Sequence, residues 1–156
     1  MTLSEADEEF LSGIINNLAR EYSAPAFRPH CTIFSPWDED PDVLMRAFRA
    51  NEFPVFSVEM EQINYSDWIW KTVFIELKRN QTLERIYQRI TQLTWVQYDF
   101  QPHISLIYKT LSSAQREKII KQLHPKPLYQ FTALEIVETG GDVGEWNSRI
   151  RIPLGS

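Results

Sequence analysis

Phe27-Arg28-Pro29-His30-Cys31-Thr32-Ile33 and Phe100-Gln101-Pro102-His103-Ile104-Ser105-Leu106 are two copies of one pattern, Phe-x-Pro-His-x-(Thr/Ser)-aliphatic. Their histidines lie 73 positions apart, close to half of the 156-residue chain. One His-x-Thr in a strand carries little information. Two copies with matched flanks define a repeat. Both run into β-forming residues, which predicts short strands at His30–Phe34 and within Phe100–Tyr108. Alternate side chains of a strand share a face. His30 therefore sits with Thr32 and His103 with Ser105, while Cys31 and Ile104 turn towards a core.

Working outward, the same order of elements brackets each copy. Ser4 begins a helix carried to about Arg20 by Phe10, Leu11, Ile14, Ile15 and Leu18 at helical spacing. Ser4 with Asp7 resembles a capping box, although Glu or Gln is the usual partner. Tyr22–Pro29 reads as extended, and a short helix is predicted over Asp42–Ala50. Phe56, Val58 and Met60 alternate with polar residues, and Trp68–Lys78 is rich in β-branched and aromatic residues. Together they predict a hairpin turning near Ser66. In the second half Leu83, Ile86, Tyr87, Ile90 and Leu93 give a helix over Thr82–Leu93. Ser112 or Ser113 caps another running to Leu123. Leu128–Thr139 and Trp146–Leu154 form a second hairpin around Gly140, Gly141 and Gly144. Helix, strand, helix and hairpin, stated twice, predict an α+β domain of two pseudo-symmetric lobes of antiparallel sheet with helices outside. The cleft between the lobes would hold both histidines.

Two imidazoles facing one another suit in-line displacement at phosphorus. One takes a proton from water and the other protonates the departing oxygen, both from an ordinary pKa of ~6.5. Thr32 and Ser105 can donate to phosphate oxygens as charge develops there. No metal ligand set is visible among three histidines and one cysteine. No cofactor is expected. Trp68 and Trp70 share a strand face with Phe74, either as core or as a wall that stacks a base or sugar. Tyr108, five residues after His103, falls near the cleft. His124, in His-Pro-Lys-Pro, reads as an exposed residue at a helix end.

These motifs resemble the 2H (two-histidine) phosphoesterase superfamily, and within it the cyclic phosphodiesterase-like family. Proline before each histidine, Tyr108 and Trp146 carry the closer likeness, which covers roughly Phe10 to Leu154. The resemblance implies hydrolysis of ADP-ribose 1″,2″-cyclic phosphate to the 1″-phosphate, and of nucleoside 2′,3′-cyclic phosphates to 2′-phosphates. This chemistry clears a by-product of tRNA splicing. It also implies that His103 activates water and His30 protonates the leaving oxygen. One departure stands out: the family opens with a short apolar strand, and Met1–Leu3 are too few to supply it.

Composition limits the partners. Hydrophobic residues at 43% and charged ones at 24% describe a globular chain, and the net charge is −5 with a pI near 5.2. An acidic chain with no obvious Lys/Arg cluster argues against extended nucleic acid. No apolar run approaches the ~18 residues of a membrane span, and the acidic N-terminus lacks the pattern of a secretory signal. The expectation is a cytoplasmic monomer acting on a small cyclic phosphate. The alternatives are an RNA-end processing enzyme of the same superfamily and a non-catalytic nucleotide-binding module.

Overall fold

The computed structural model describes residues 1–37, 39–48 and 52–155. Its elements are β1 (Thr2–Leu3), α1 (Glu5–Tyr22), α2 (Pro41–Ala47), β2 (Phe56–Tyr65), β3 (Val73–Leu77), α3 (Gln81–Thr91), β4 (His103–Ile107), α4 (Ser113–Gln122), β5 (Leu128–Glu138) and β6 (Asn147–Pro153). Each helix starts where a side chain can accept a free N–H of its first turn. Ser4 accepts from Asp7, Asp40 from Asp42, Asn80 from Leu83, and Ser112 from Gln115 in a complete capping box. The predicted helices stand, with α2 ending at Ala47; positions 49 and 50 of that prediction lie outside the described residues. No described helix is long and apolar enough to cross a membrane.

The strands run antiparallel in the order β1-β5-β2-β3-β4, with β6 on β5. Strand β2 is shared: Phe56–Glu59 pair with β5, whereas Met60–Tyr65 pair with β3 across an irregular step near Met60. The lobes are therefore not the two halves of the sequence. The hairpin of the first half, β2–β3, joins β4 and the second motif. The hairpin of the second half, β5–β6, joins β1 beside the first motif. The chain exchanges its hairpins between lobes.

Three local expectations are corrected. Trp68–Lys78 is not one strand, because Ile69–Lys71 form a 3₁₀ turn and β3 begins only at Val73. Side-chain hydroxyls take the backbone groups that a ladder would use. Ser66 Oγ accepts from Trp68 N–H and donates to Lys71 O, and Thr72 Oγ1 donates to Ile69 O. Residues 30–34 lie in no strand; Cys31 bonds to Met1 through its N–H to Met1 O at 3.1 Å and through the α-amino group to Cys31 O at 2.7 Å. Thr2 and Leu3 do supply a first strand, since two residues suffice when both are buried against Ala133 and Phe131.

The core lies between sheet and helices. Leu11 and Ile15 of α1, Ile104 and Leu106 of β4, and Tyr129 and Phe131 of β5 are all nearly inaccessible. Asp7 joins α1 to β5: its carboxylate accepts from Gln130 N–H and Lys126 Nζ, each at 2.8 Å, and from Ser4 Oγ at 3.1 Å. Burial raises its pKa, but these three donors outweigh it and hold the carboxyl below its ordinary value. Asp7→Ala leaves the half-buried Gln130 N–H of β5 without this acceptor. It should remove about 2–3 kcal/mol of stability, read from the urea midpoint at neutral pH. Asp7→Asn keeps one acceptor and should lose less; equal losses would show that the carboxylate's bonds to β5 are not what matters.

Candidate active site

The two motifs end in the same local geometry. His30 Nδ1 lies 2.8 Å from Arg28 O, and His103 Nδ1 lies 2.6 Å from Gln101 O. A carbonyl only accepts, so Nδ1 carries the proton in each neutral ring. That leaves each Nε2 with its lone pair and, among the described residues, without a protein partner. The residue two before each histidine thus sets its tautomer, and the intervening proline, buried in both copies, holds the carbonyl in place. Cys31 and Ile104 are fully buried on the opposite side, as strand parity predicts.

Both rings line one cavity of about 1480 Å³, together with Thr32, Ser105, Tyr108, Trp68 and Trp70. All seven residues singled out from the sequence are therefore brought together. Their states differ. Among the described residues Thr32 Oγ1 has no hydrogen-bond partner, whereas Ser105 Oγ donates to Trp70 O at 2.9 Å. The Ser105 proton is thus already committed, contrary to the simple picture of two free hydroxyl donors. Burial pushes the Tyr108 hydroxyl up to about 12, so it keeps its proton at neutral pH; it stands beside the Ser105 hydroxyl. Trp68 and Trp70 come from the turn rather than from a strand face, and they are 61% and 40% exposed, as a cleft rim is and a core is not. His124 is exposed and does not line the cavity.

Sequence reasoning gave too little weight to Trp146. It lies immediately before β6, with its ring centroid 6.1 Å from His30, 5.9 Å from Trp70 and 6.0 Å from Tyr108. Phe27 stacks on Tyr108 at 3.9 Å and meets His30 edge-on. The phenylalanine that opens the first motif is thus part of the aromatic wall. No period or spacing marks Trp146 as a neighbour of His30, because the exchange of hairpins brings it there. Among the described residues no three His, Cys, Asp or Glu side chains gather as a metal site.

The wall is dry enough to matter electrostatically. Burial lowers His30 to about 4, the Arg28 carbonyl opposes this, and positive charge nearby, including that of His103, lowers it further. Burial lowers His103 as well. Both rings are therefore neutral in the free protein at neutral pH. A histidine held below its unfolded value binds its proton less well when folded. The unfolded chain then takes up more protons between pH ~6.5 and ~4, and stability falls across that window as pH drops. Acidification through it should remove roughly 1–3 kcal/mol on account of His30. Urea midpoints should fall less steeply in His30→Asn; an unchanged slope would assign the loss to other groups.

The profile of the family described as cyclic phosphodiesterase-like protein matches residues 3–152. No curated protein matches the chain. Matched over nearly its whole length, and with two histidines presented alike on one cavity, the chain belongs to the cyclic phosphodiesterase-like protein family and is a hydrolase of that kind.

Proposed function

We propose that the chain hydrolyses ribose cyclic phosphates of small-molecule size, without a metal, by general acid–base catalysis between His30 and His103. The observation that carries this reading is the matched pair of Nδ1–H to carbonyl bonds. It leaves two Nε2 atoms on one cavity, each able to accept or give a proton. A module that only bound nucleotide would have no use for two such proton carriers.

On this reading the Nε2 of one neutral histidine takes a proton from water as the water oxygen bonds to phosphorus. The Nε2–H of the other, protonated, gives its proton to the ribose oxygen as the P–O bond of the ring breaks. One ring ends protonated and the other neutral, and exchange with solvent resets them. The anionic substrate supplies the charge that favours a protonated imidazole in a site where burial alone disfavours it. Thr32 Oγ1 is free to donate to a non-bridging oxygen, and Tyr108 retains a proton to do the same. Ser105 reaches the phosphate only by releasing Trp70 O. On the family resemblance we take His103 as the base and His30 as the acid.

Two features favour a small substrate over a polynucleotide. Trp68, Trp70 and Trp146 give a ring or ribose face a surface to stack on. Among the described residues Arg28 and Arg149 are the arginines at the cavity, and they are paired with Glu135 and Glu138 rather than free for a longer backbone. ADP-ribose 1″,2″-cyclic phosphate and nucleoside 2′,3′-cyclic phosphates, yielding the 1″- and 2′-phosphates, are the substrates to test, with phosphorus NMR of the products. Clearance of a tRNA-splicing by-product in the cytoplasm, by a monomer, is the setting this reading suggests.

His30→Ala and His103→Ala should each lower turnover at saturating substrate by about 10²–10⁴ with the fold retained. A near-normal rate in either would sink the two-histidine mechanism. The roles separate on leaving group. A nitrophenyl phosphodiester needs little proton donation, so His30→Ala should recover much of its rate on it while His103→Ala does not. Rescue of His103→Ala instead would reverse the roles.

A further inference from the structure

A lysine ammonium stands beside His103 where the proposed chemistry has no step for it. Lys71 closes the 3₁₀ turn and is only 9% exposed. Its Nζ donates to Gln101 Oε1 at 2.8 Å and lies 4.4 Å from the Phe74 ring centroid. Among the described residues no carboxylate comes within ion-pair distance of it. Gln101 is also the residue whose backbone carbonyl takes the His103 Nδ1 proton, and the Phe74 ring meets the His103 ring edge-on at 5.6 Å. The same two residues thus touch both the ammonium and the imidazole. The matching place in the first motif is Arg28, whose guanidinium is paired with Glu8 and Glu135.

A cation taken out of water without a counter-ion is costly, and functional sites are where such costs are retained. Burial lowers the pKa of Lys71, while Glu76 and Asp99 support its charged form. We propose that Lys71 is a positioning residue for the reaction: it holds Gln101, and through it the His103 ring, while its positive charge adds to burial in disfavouring the protonated ring. The charged groups around His103 are Lys71 from the turn, Glu76 opposite it in β3, Asp99 bonded to the Gln101 amide, and His30 across the cavity. Glu76 pulls towards protonation, but its carboxylate is bonded to Gln62 and Asn64. Lys71 pushes the other way.

The inference rests on the proposed acid–base reading, so its test includes a readout that needs no turnover. Lys71→Gln removes the charge and keeps a donor for Gln101; Lys71→Arg keeps the charge. Ring NMR titration of His103 in the free protein should show its pKa rising on the order of half to one unit in Lys71→Gln. The value in Lys71→Arg should stay close to that of the parent. The acid limb of kcat/KM on a 2′,3′-cyclic nucleotide should move up by the same amount. Should Lys71→Gln fail to fold, Lys71→Met gives the same titration. An unmoved His103 pKa overturns the proposal even if turnover falls, since Lys71 would then only support the turn. A shifted pKa in a protein inert on every cyclic phosphate would overturn the proposed function and leave the Lys71–His103 coupling standing.

Discussion

Strand β2 gives its first four residues to β5 and the rest to β3, and this shared ladder ties the two lobes together. A ten-residue strand with backbone bonds on both sides cannot open like a hinge without losing part of its ladder. The two histidines are carried on either side of it, one on β4 and the other on the extended segment beside β1. Their relative placement is therefore set by the sheet, and little reorganisation is left for substrate binding to bring about. For the reaction proposed above, groups held in this way would need no alignment at the moment of reaction.

Around that frame the two motifs are near-copies in sequence and in their Nδ1 bonds, yet their surroundings differ. Arg28 is neutralised by two glutamates, whereas the Gln101 side chain takes a lysine with no ion-pair partner among the described residues. Among the described residues His30 meets the rings of Phe27 and Trp146, and His103 that of Phe74. In the proposed acid–base pair one group must hold a proton and the other lack it, and unequal surroundings favour one assignment over the other. The symmetry places the rings, and the departures from it distinguish them.

Much of this was legible in the chain. The duplicated heptapeptide located the histidines, strand parity put Cys31 and Ile104 in the core, and Ser4 and Ser112 marked helix starts that the structure keeps. What was not legible has physical causes. Trp68–Lys78 looks like one strand because propensity counts β-branched and aromatic residues, but Ser66 and Thr72 capture the backbone first. His30–Phe34 keeps the alternation of a strand without its ladder, since burial and not pairing sets that pattern. Lys71 is invisible as a neighbour of His103 because a lysine in a turn normally reaches water. Above all, a repeat in sequence suggests that each half folds on itself. Nothing in a periodicity tells a hairpin which copy of the motif to pair with.

The exchanged hairpins also set the order in which the molecule can be made. Strand β1 finds its partner only in β5, near the other end of the chain. The β2–β3 hairpin can form early, but it waits for β4 on one side and for β5 on the other. On a ribosome the N-terminal segment, including His30, therefore emerges long before anything exists to receive it. Contacts of such long sequence separation slow folding and leave apolar strands exposed meanwhile. The cavity that holds both histidines is lined by β5 as well, so it cannot close until β5 has been synthesised.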